Sequence, residues 1–436
     1  HKMSEKNKIK KKDKDFLWHP FTKIDAEYDP IVITDAKDDI LIDIDGKKYI
    51  DLISSWWVNI HGHCRKEIVQ SISKQSEKLE QVLFADFTHS PAVNLAEKLI
   101  SILPSNLSRV FYSDNGSTAV EIAMKVAIQY WYNLGKKKKK FVSMSGGYHG
   151  DTFGAMSVGY SSGFYKPFKD FISESIFIPF PDNWDGKNDL EKEEIRSLNT
   201  VDEVLSKNQE DIAAVIFEPL IQGAGGMKVC RKEFFDSMLK KFRDAGVIII
   251  FDEVMTGFGR TGKMFAADYL KNKPDIMCLA KSMTGGYIPL AATIFSEKIH
   301  NEFLGGDIKK SFLHGHSFSA NPIACSAALT SINLFNKENT LKKISIISEI
   351  HKEFIHKLRN NCNVSKTRIL GSIAAFDFNK ISKDYGSSDT QKIKKKFLEN
   401  GLLLRPLGNT IYLMPPYCIK EETLKECYKK IIDILM

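Results

Sequence analysis

The chain has 436 residues, 43% of them apolar and 27% charged, the balance of a globular protein long enough for two or three domains and a large core. Much of its formal charge of +8 comes from Lys2 to Lys14 and Lys136 to Lys140, runs that read as solvated tails and loops, and the first has no interleaved aromatic side chains, so no nucleic-acid groove is expected. No stretch approaches the ~20 apolar residues of a membrane span, and the opening HKMSEKNKIKKK lacks the apolar core of a secretory signal. His1-Lys2 ahead of Met3 reads as a cloning remnant. Seven cysteines at irregular positions fit reduced thiols, and the expectation is a cytoplasmic protein without membrane or nucleic-acid partners.

From about Phe16 to Asp51 the chain holds the loop Trp18-His19-Pro20-Phe21-Thr22, then ILIDIDGKKYIDL, whose alternation around Asp45-Gly46 predicts a hairpin. Ser54-Ser55-Trp56-Trp57 follows. Adjacent tryptophans usually divide between core and surface, though a flat apolar wall also suits a substrate. His61, His63 and Cys64 have no second cluster at zinc-type spacing, so no metal is expected. Helical spacing runs from Arg65 to Leu83 and from Pro91 to Leu103, the second stretch ended by Pro104.

Arg109 to Tyr112 predicts a strand, leading through the polar turn Ser113 to Ser117 into a helix that is apolar nearly all round as far as Trp131. Free amides at such a helix start favour an anion, which makes Gly116 and Ser117 a candidate phosphate cradle. Ser117 as a plain N-cap is the other reading. After a strand at Phe141 to Met144, Tyr148 sits in a glycine-flanked loop, Ser145 to Gly150, where an aromatic ring can lie over a planar cofactor. Pro181 to Asn199 is polar and reads as a surface insertion. Asp211 to Phe217 is a further buried strand, ending in Glu218-Pro219 and leading to Gln222 to Gly226.

Val247 to Phe251 is an unbroken apolar run that ends in Asp252-Glu253, and Asp275 to Ala280 delivers Lys281 in the same way. Residues at the carboxyl ends of such strands face the crevice where open α/β sheets bind ligands. An acid and a lysine so placed are the pair a pyridoxal phosphate enzyme requires: the lysine forms the Schiff base, and the acid keeps the pyridine nitrogen protonated. Gly257 to Met264 (GFGRTGKM) also matches a phosphate loop up to its last position, where Met264 lacks the hydroxyl for magnesium; a nucleotide-binding ATPase is the alternative from another class.

Strands near 109, 141, 213, 247 and 275 alternate with helical stretches, which predicts an α/β fold with a mainly parallel, doubly wound sheet. Ser311 to Ser319 (SFLHGHSFS) precedes an alanine-rich helix. Beyond Leu334 come a helix at Leu341 to Leu358, a strand at Ile369 to Phe378, another helix, and the stretches Gly401 to Pro406 and Ile411 to Pro416. These form a small α+β part with the amino-terminal strands. The expected division is 1–60 and 331–436 in the small domain and 61–330 in the cofactor-binding one, with no internal repeat.

Together these residues resemble the class III aminotransferases of fold-type I over nearly the whole chain. Trp18 to Thr22, Ser54 to Trp57, Gly147 to Thr152, Gln222 to Met227 and Tyr412 to Tyr417 narrow the resemblance to the branch that aminates 8-amino-7-oxononanoate to 7,8-diaminononanoate in biotin synthesis. That resemblance implies a homodimer with shared active sites and ping-pong transamination on pyridoxal phosphate. It implies Lys281 as the Schiff-base residue, Asp252 at the pyridine nitrogen, Tyr148 on the ring, and Gly116, Ser117 and the second chain's Ser317 on the phosphate. Trp56, Trp57, Gly315, Arg405 and Tyr412 would line the substrate site, with Arg405 on the carboxylate. Two departures stand out: Phe21 replaces a tyrosine of better-known members, and His316-Ser317 replaces a Pro-Thr pair. Phe21 bears on the donor, expected to be S-adenosylmethionine, with lysine as the alternative. The rival inside the family is an ω-aminotransferase of ornithine or 4-aminobutyrate type.

Overall fold

The computed structural model describes residues 2–159 and 164–436. Its central sheet has seven strands in the order Leu107–Ser113, Ala291–Ser296, Ile276–Leu279, Ile248–Asp252, Ile212–Phe217, Lys140–Met144 and Ile176–Ile178. Neighbours run parallel except at Ala291–Ser296, which is antiparallel to both strands beside it. The expected α/β sheet is present with all five expected strands. Two members were not expected: Ala291–Ser296 is separated by four residues from the Gly285-Gly286 turn, and Ile176–Ile178 is a three-residue edge strand too short to show a period.

The sheet is buried on both faces because its strands are apolar without interruption. Val215, Phe217, Ile249 and Phe251 belong to one core with Phe235, Met238 and Phe242 of helix Lys232–Asp244. Ala214, Ile216, Ile248 and Ile250 face the other way, into a core with Ala119, Ile122, Ala123 and Val126 of helix Gly116–Asn133. Side chains alternate along a strand, so Asp252 continues the Ile248–Ile250 face and points to the side of the sheet that holds helix Gly116–Asn133.

The two ends of the chain meet in a second sheet, where Leu402–Leu403 pairs in parallel with Lys48–Asp51 of the expected amino-terminal hairpin. A third sheet joins Val364–Leu370, Ile373–Phe378 and Thr410–Leu413. The single strand expected at Ile369 to Phe378 is thus two strands folded back at Gly371, whose φ of +58° suits the turn.

Two other expectations are corrected. Lys2 to Lys14 is no loose tail: Glu5–Phe16 is a helix capped by Ser4 and tied down by Lys6 to Asp45 and Lys10 to Asp29. Pro181 to Asn199 is not a surface insertion throughout, because helix Leu190–Asn208 buries Leu190, Glu194 and Ser197 within it. Among the described residues no helix is long and apolar enough to cross a membrane.

Candidate active site

A cavity of about 410 Å³ opens at the carboxyl ends of the parallel strands. Trp57, Gly116, Ser117, Tyr148, His149, Glu218, Asp252 and Lys281 all line it. Strand Ile248–Asp252 and its neighbour Ile276–Leu279 bring the acid and the lysine to adjacent positions on this rim.

Lys281 begins the short turn Lys281–Thr284 with a φ of +43°, left-handed backbone that a side chain rarely adopts. Its Nζ lies 5.2 Å from the centre of the Trp57 ring. Burial pushes the ammonium's pKa below its ordinary value; Asp252 opposes the shift and Arg260 adds to it. The result favours a neutral, nucleophilic amine.

Asp252 is fixed from two sides. Its Oδ2 meets His149 Nδ1 at 2.8 Å, and its Oδ1 accepts from the Val254 amide at 3.0 Å. Burial works against a charged His149, yet the bond to Asp252 and the negative field of Asp252 and Glu218 carry its pKa above the ordinary value. Glu218 accepts from the Tyr148 and Gly223 amides, both at 3.1 Å, and desolvation pushes its carboxyl up to about 7. His149 and Glu218 were not named as site residues from sequence. Glu218 stands after its strand as Asp252 does at the end of its own, and that parallel was the available signal.

The helix start is built as a cradle. Asn115, not Ser117, is the cap: its Oδ1 accepts from the Thr118 amide at 2.9 Å, and Thr118 Oγ1 accepts from the Asn115 amide at 3.3 Å. Ser117 Oγ instead accepts from the Asp151 amide at 3.1 Å. The Gly116 and Ser117 amides have no partner inside the helix. A Cβ on Gly116 would lie 2.8 Å from Val254, and one on Gly150 would lie 2.0 Å from Ser117 Oγ, so the wall admits an anion only because these positions lack side chains. An anion cradle, an acid backed by histidine, and a desolvated lysine around one cavity fit pyridoxal phosphate.

The remaining candidates divide. Trp57 is 5% exposed and Trp56 40%, the split between core and surface. Ser54, Ser55 and Trp57 all have positive φ, a strained turn held by Ser54 Oγ on the Met414 carbonyl at 2.7 Å and by Ser55 on Asp51. Trp57 Nε1 donates to Tyr412 Oη at 2.9 Å, bringing Tyr412 behind the cavity wall. The Arg405 guanidinium lies 5.5 Å from the Trp56 ring centre. Trp56, Tyr412 and Arg405 adjoin the cavity without lining it, while Gly315 and Ser317 lie on an exposed stretch apart from it.

The GFGRTGK stretch is no phosphate loop. Its amides are spent internally, Gly257 on the Glu253 carbonyl at 3.0 Å and Gly259 on the Met264 carbonyl at 3.1 Å. Arg260, fully buried, donates to Ser54 Oγ and the Asn59 carbonyl at 3.2 Å and to Ser282 Oγ and the Pro415 carbonyl at 3.4 Å. His61 and His63 are likewise engaged, with the Ser331 carbonyl and Asp51, each at 2.8 Å.

Comparison with known proteins agrees with this geometry. The family model described as aminotransferase class-III matches residues 23–435. A Synechococcus elongatus protein named adenosylmethionine-8-amino-7-oxononanoate aminotransferase is 43% identical over 96% of this chain and 98% of its own length. The crystal structure of the like-named Methanocaldococcus jannaschii protein superposes with a TM-score of 0.92 at 37% identity, covering 99% of both chains. An amine transaminase from an uncultivated Pseudomonas species, crystallised in its PLP-bound form, gives a TM-score of 0.89 at 28% identity, covering 96% of this chain and 97% of its own. The chain belongs to the class III aminotransferases, and its cofactor is pyridoxal phosphate.

Proposed function

We propose that this chain transfers an amino group to 8-amino-7-oxononanoate, forming 7,8-diaminononanoate in biotin synthesis, with S-adenosylmethionine as donor. The observation that carries the reading is Lys281 and Asp252 on adjacent strand ends of one cavity, in a chain 43% identical to a relative named for that reaction. The ω-transaminase rival has less support, since four solved structures named as ω-transaminases are 25–26% identical.

Pyridoxal phosphate, when bound, supplies a ring that accepts the electron pair left as a proton leaves the amine-bearing carbon. Gly116 and Ser117 hold its phosphate with helix amides, and Ser317 of a second copy completes the cradle. Asp252, held by His149, keeps a proton on the ring nitrogen, and Tyr148 packs over the ring. Lys281 Nζ is the base that takes the proton from the amine-bearing carbon and returns it at the neighbouring position. Arg405 binds the terminal carboxylate of the keto acid, and Trp56, Trp57 and the second copy's Gly315 flank its aliphatic chain, with Tyr412 holding Trp57 from behind.

The dimer belongs to the same reading. Leu313 and Phe318 are 64% and 63% exposed on either side of His316-Ser317, apolar surface that a second copy would cover. So do a cytoplasmic location and the division into 1–60, 61–330 and 331–436. Phe21 contributes a ring and a carbonyl where a phenol would stand, and this favours lysine as the second choice of donor.

The test is a pair of half-reactions with cofactor-loaded protein. Bleaching of the cofactor's visible absorbance by S-adenosylmethionine, followed by formation of diaminononanoate from the keto acid, is the expected result. Bleaching by lysine alone would reassign the donor. Bleaching by ornithine or 4-aminobutyrate, with the oxononanoate inert, would overturn the reading.

A further inference from the structure

Among the described residues, Arg405 is held by neutral oxygens only: its Nη2 donates to the Tyr385 hydroxyl at 2.9 Å and to the Phe21 carbonyl at 3.2 Å. Lys394, half-buried on helix Ser388–Glu399, stands close enough that burial and the Arg405 charge both lower its ammonium's pKa. Among the described residues neither cation forms an ion pair with a carboxylate. Two neighbouring cations that no carboxylate pairs with set up a positive field that favours an anion. The Tyr385 oxygen accepts from Arg405, so its own proton remains to be given.

That phenol is 38% exposed and is flanked by two aromatic rings. Its ring meets Phe21 at 6.4 Å and Phe164 at 5.5 Å between centres, both edge-on. Its loop abuts the turn that follows Arg405: a Cβ on Gly408, where φ is +58°, would fall 2.3 Å from the Lys383 carbonyl. The two segments that carry Arg405 and Tyr385 are therefore in backbone contact.

We propose that Tyr385 is a specificity-determining residue of this site, donating its hydroxyl proton to the terminal carboxylate of the keto acid that Arg405 binds. The inference rests on the reading of the substrate as an ω-carboxylated ketone. A neutral donor beside a guanidinium recognises a carboxylate through both oxygens, while Phe21 supplies only a carbonyl and an apolar edge. Tyr385 thus provides the phenol that residue 21 does not.

Two arms test it in the cofactor-loaded protein. In turnover, Tyr385→Phe raises KM for the keto acid roughly tenfold, with a loss in the keto-acid half-reaction at least about fivefold larger than in the donor half-reaction. In binding, nonanoate and the uncharged nonanamide are titrated against tryptophan fluorescence. Tyr385→Phe weakens nonanoate about fivefold or more and leaves nonanamide within about twofold, and Arg405→Ala weakens nonanoate further. Equal loss of both ligands, or nonanoate affinity unchanged in Tyr385→Phe, overturns the proposal. If the wild type fails to aminate the oxononanoate, the proposed function falls, and the nonanoate arm still decides the role of Tyr385. Tyr385→Trp keeps the ring but not the phenol, and recovery of nonanoate binding there would also refute it.

Discussion

Lys281 carries the covalent step, and its replacement separates chemistry from binding. Lys281→Ala is expected to lower transamination below detection while the phosphate cradle still retains cofactor, read as absorbance that survives gel filtration but resists borohydride fixation; normal turnover would exclude the assignment. Glu253, beside Asp252, has a different part. It is fully buried, accepting from Thr256 Oγ1 at 2.8 Å and from the Ala266 and Ala267 amides at 2.6 and 3.0 Å, and burial raises its pKa from 4.5 to about 7. Between those values the folded chain holds a proton that the unfolded chain has released. Its contribution is therefore complete below pH 4.5 and disappears as pH rises through about 7. Against Glu253→Gln, the wild type should lose up to about 3 kcal/mol of relative stability between pH 5 and 8 in urea melts. Parallel curves would contradict this. At this scale the acid and the lysine were legible because each closes an apolar run. Tyr385 was not, since a lone phenol among serine, aspartate and glycine meets Arg405 only through tertiary packing.

A helix end and a hairpin turn decide how the cavity is held. Asn115→Ala removes the capping box and should cost about 1 kcal/mol in chemical denaturation. Cofactor affinity should fall several-fold with it, because the same turn aims the Gly116 amide, and Asn115→Asp should restore both. Loss of stability with unchanged cofactor affinity would detach the cap from the cradle. Gly371 lies against the glycine-rich loop, where an added Cβ would fall 2.2 Å from the Gly262 nitrogen. Gly371→Ala should therefore destabilise the protein by about 3 kcal/mol or more, since backbone has no rotamer to yield. A shift within about 0.5 kcal/mol would show the contact to be slack. Elements were legible where their period was strong. Helix Glu5–Phe16 was hidden because it buries nothing and is held by ion pairs to distant acids. The cap was misplaced by two residues because serine and asparagine compete equally for that role.

The whole molecule is expected to be a dimer whose subunits complete one another. Leu313→Asp with Phe318→Asp should give a monomer in sedimentation and, at the same time, weaker retention of cofactor, because Ser317 leaves the neighbouring cradle. A monomer with full cofactor affinity would confine each site to one chain. The α/β architecture was legible from the order of the runs, but the closure of the chain was not, because nothing in a glycine loop announces that Arg260 reaches both ends of it. Its guanidinium gathers Ser54, Asn59, Ser282 and Pro415 from segments that lie hundreds of positions apart. The guanidinium sheds its water only when all of these segments dock around it. A folding intermediate with Ser54, Asn59 or Pro415 still undocked would leave this cation open to water, so the joints between these segments close together.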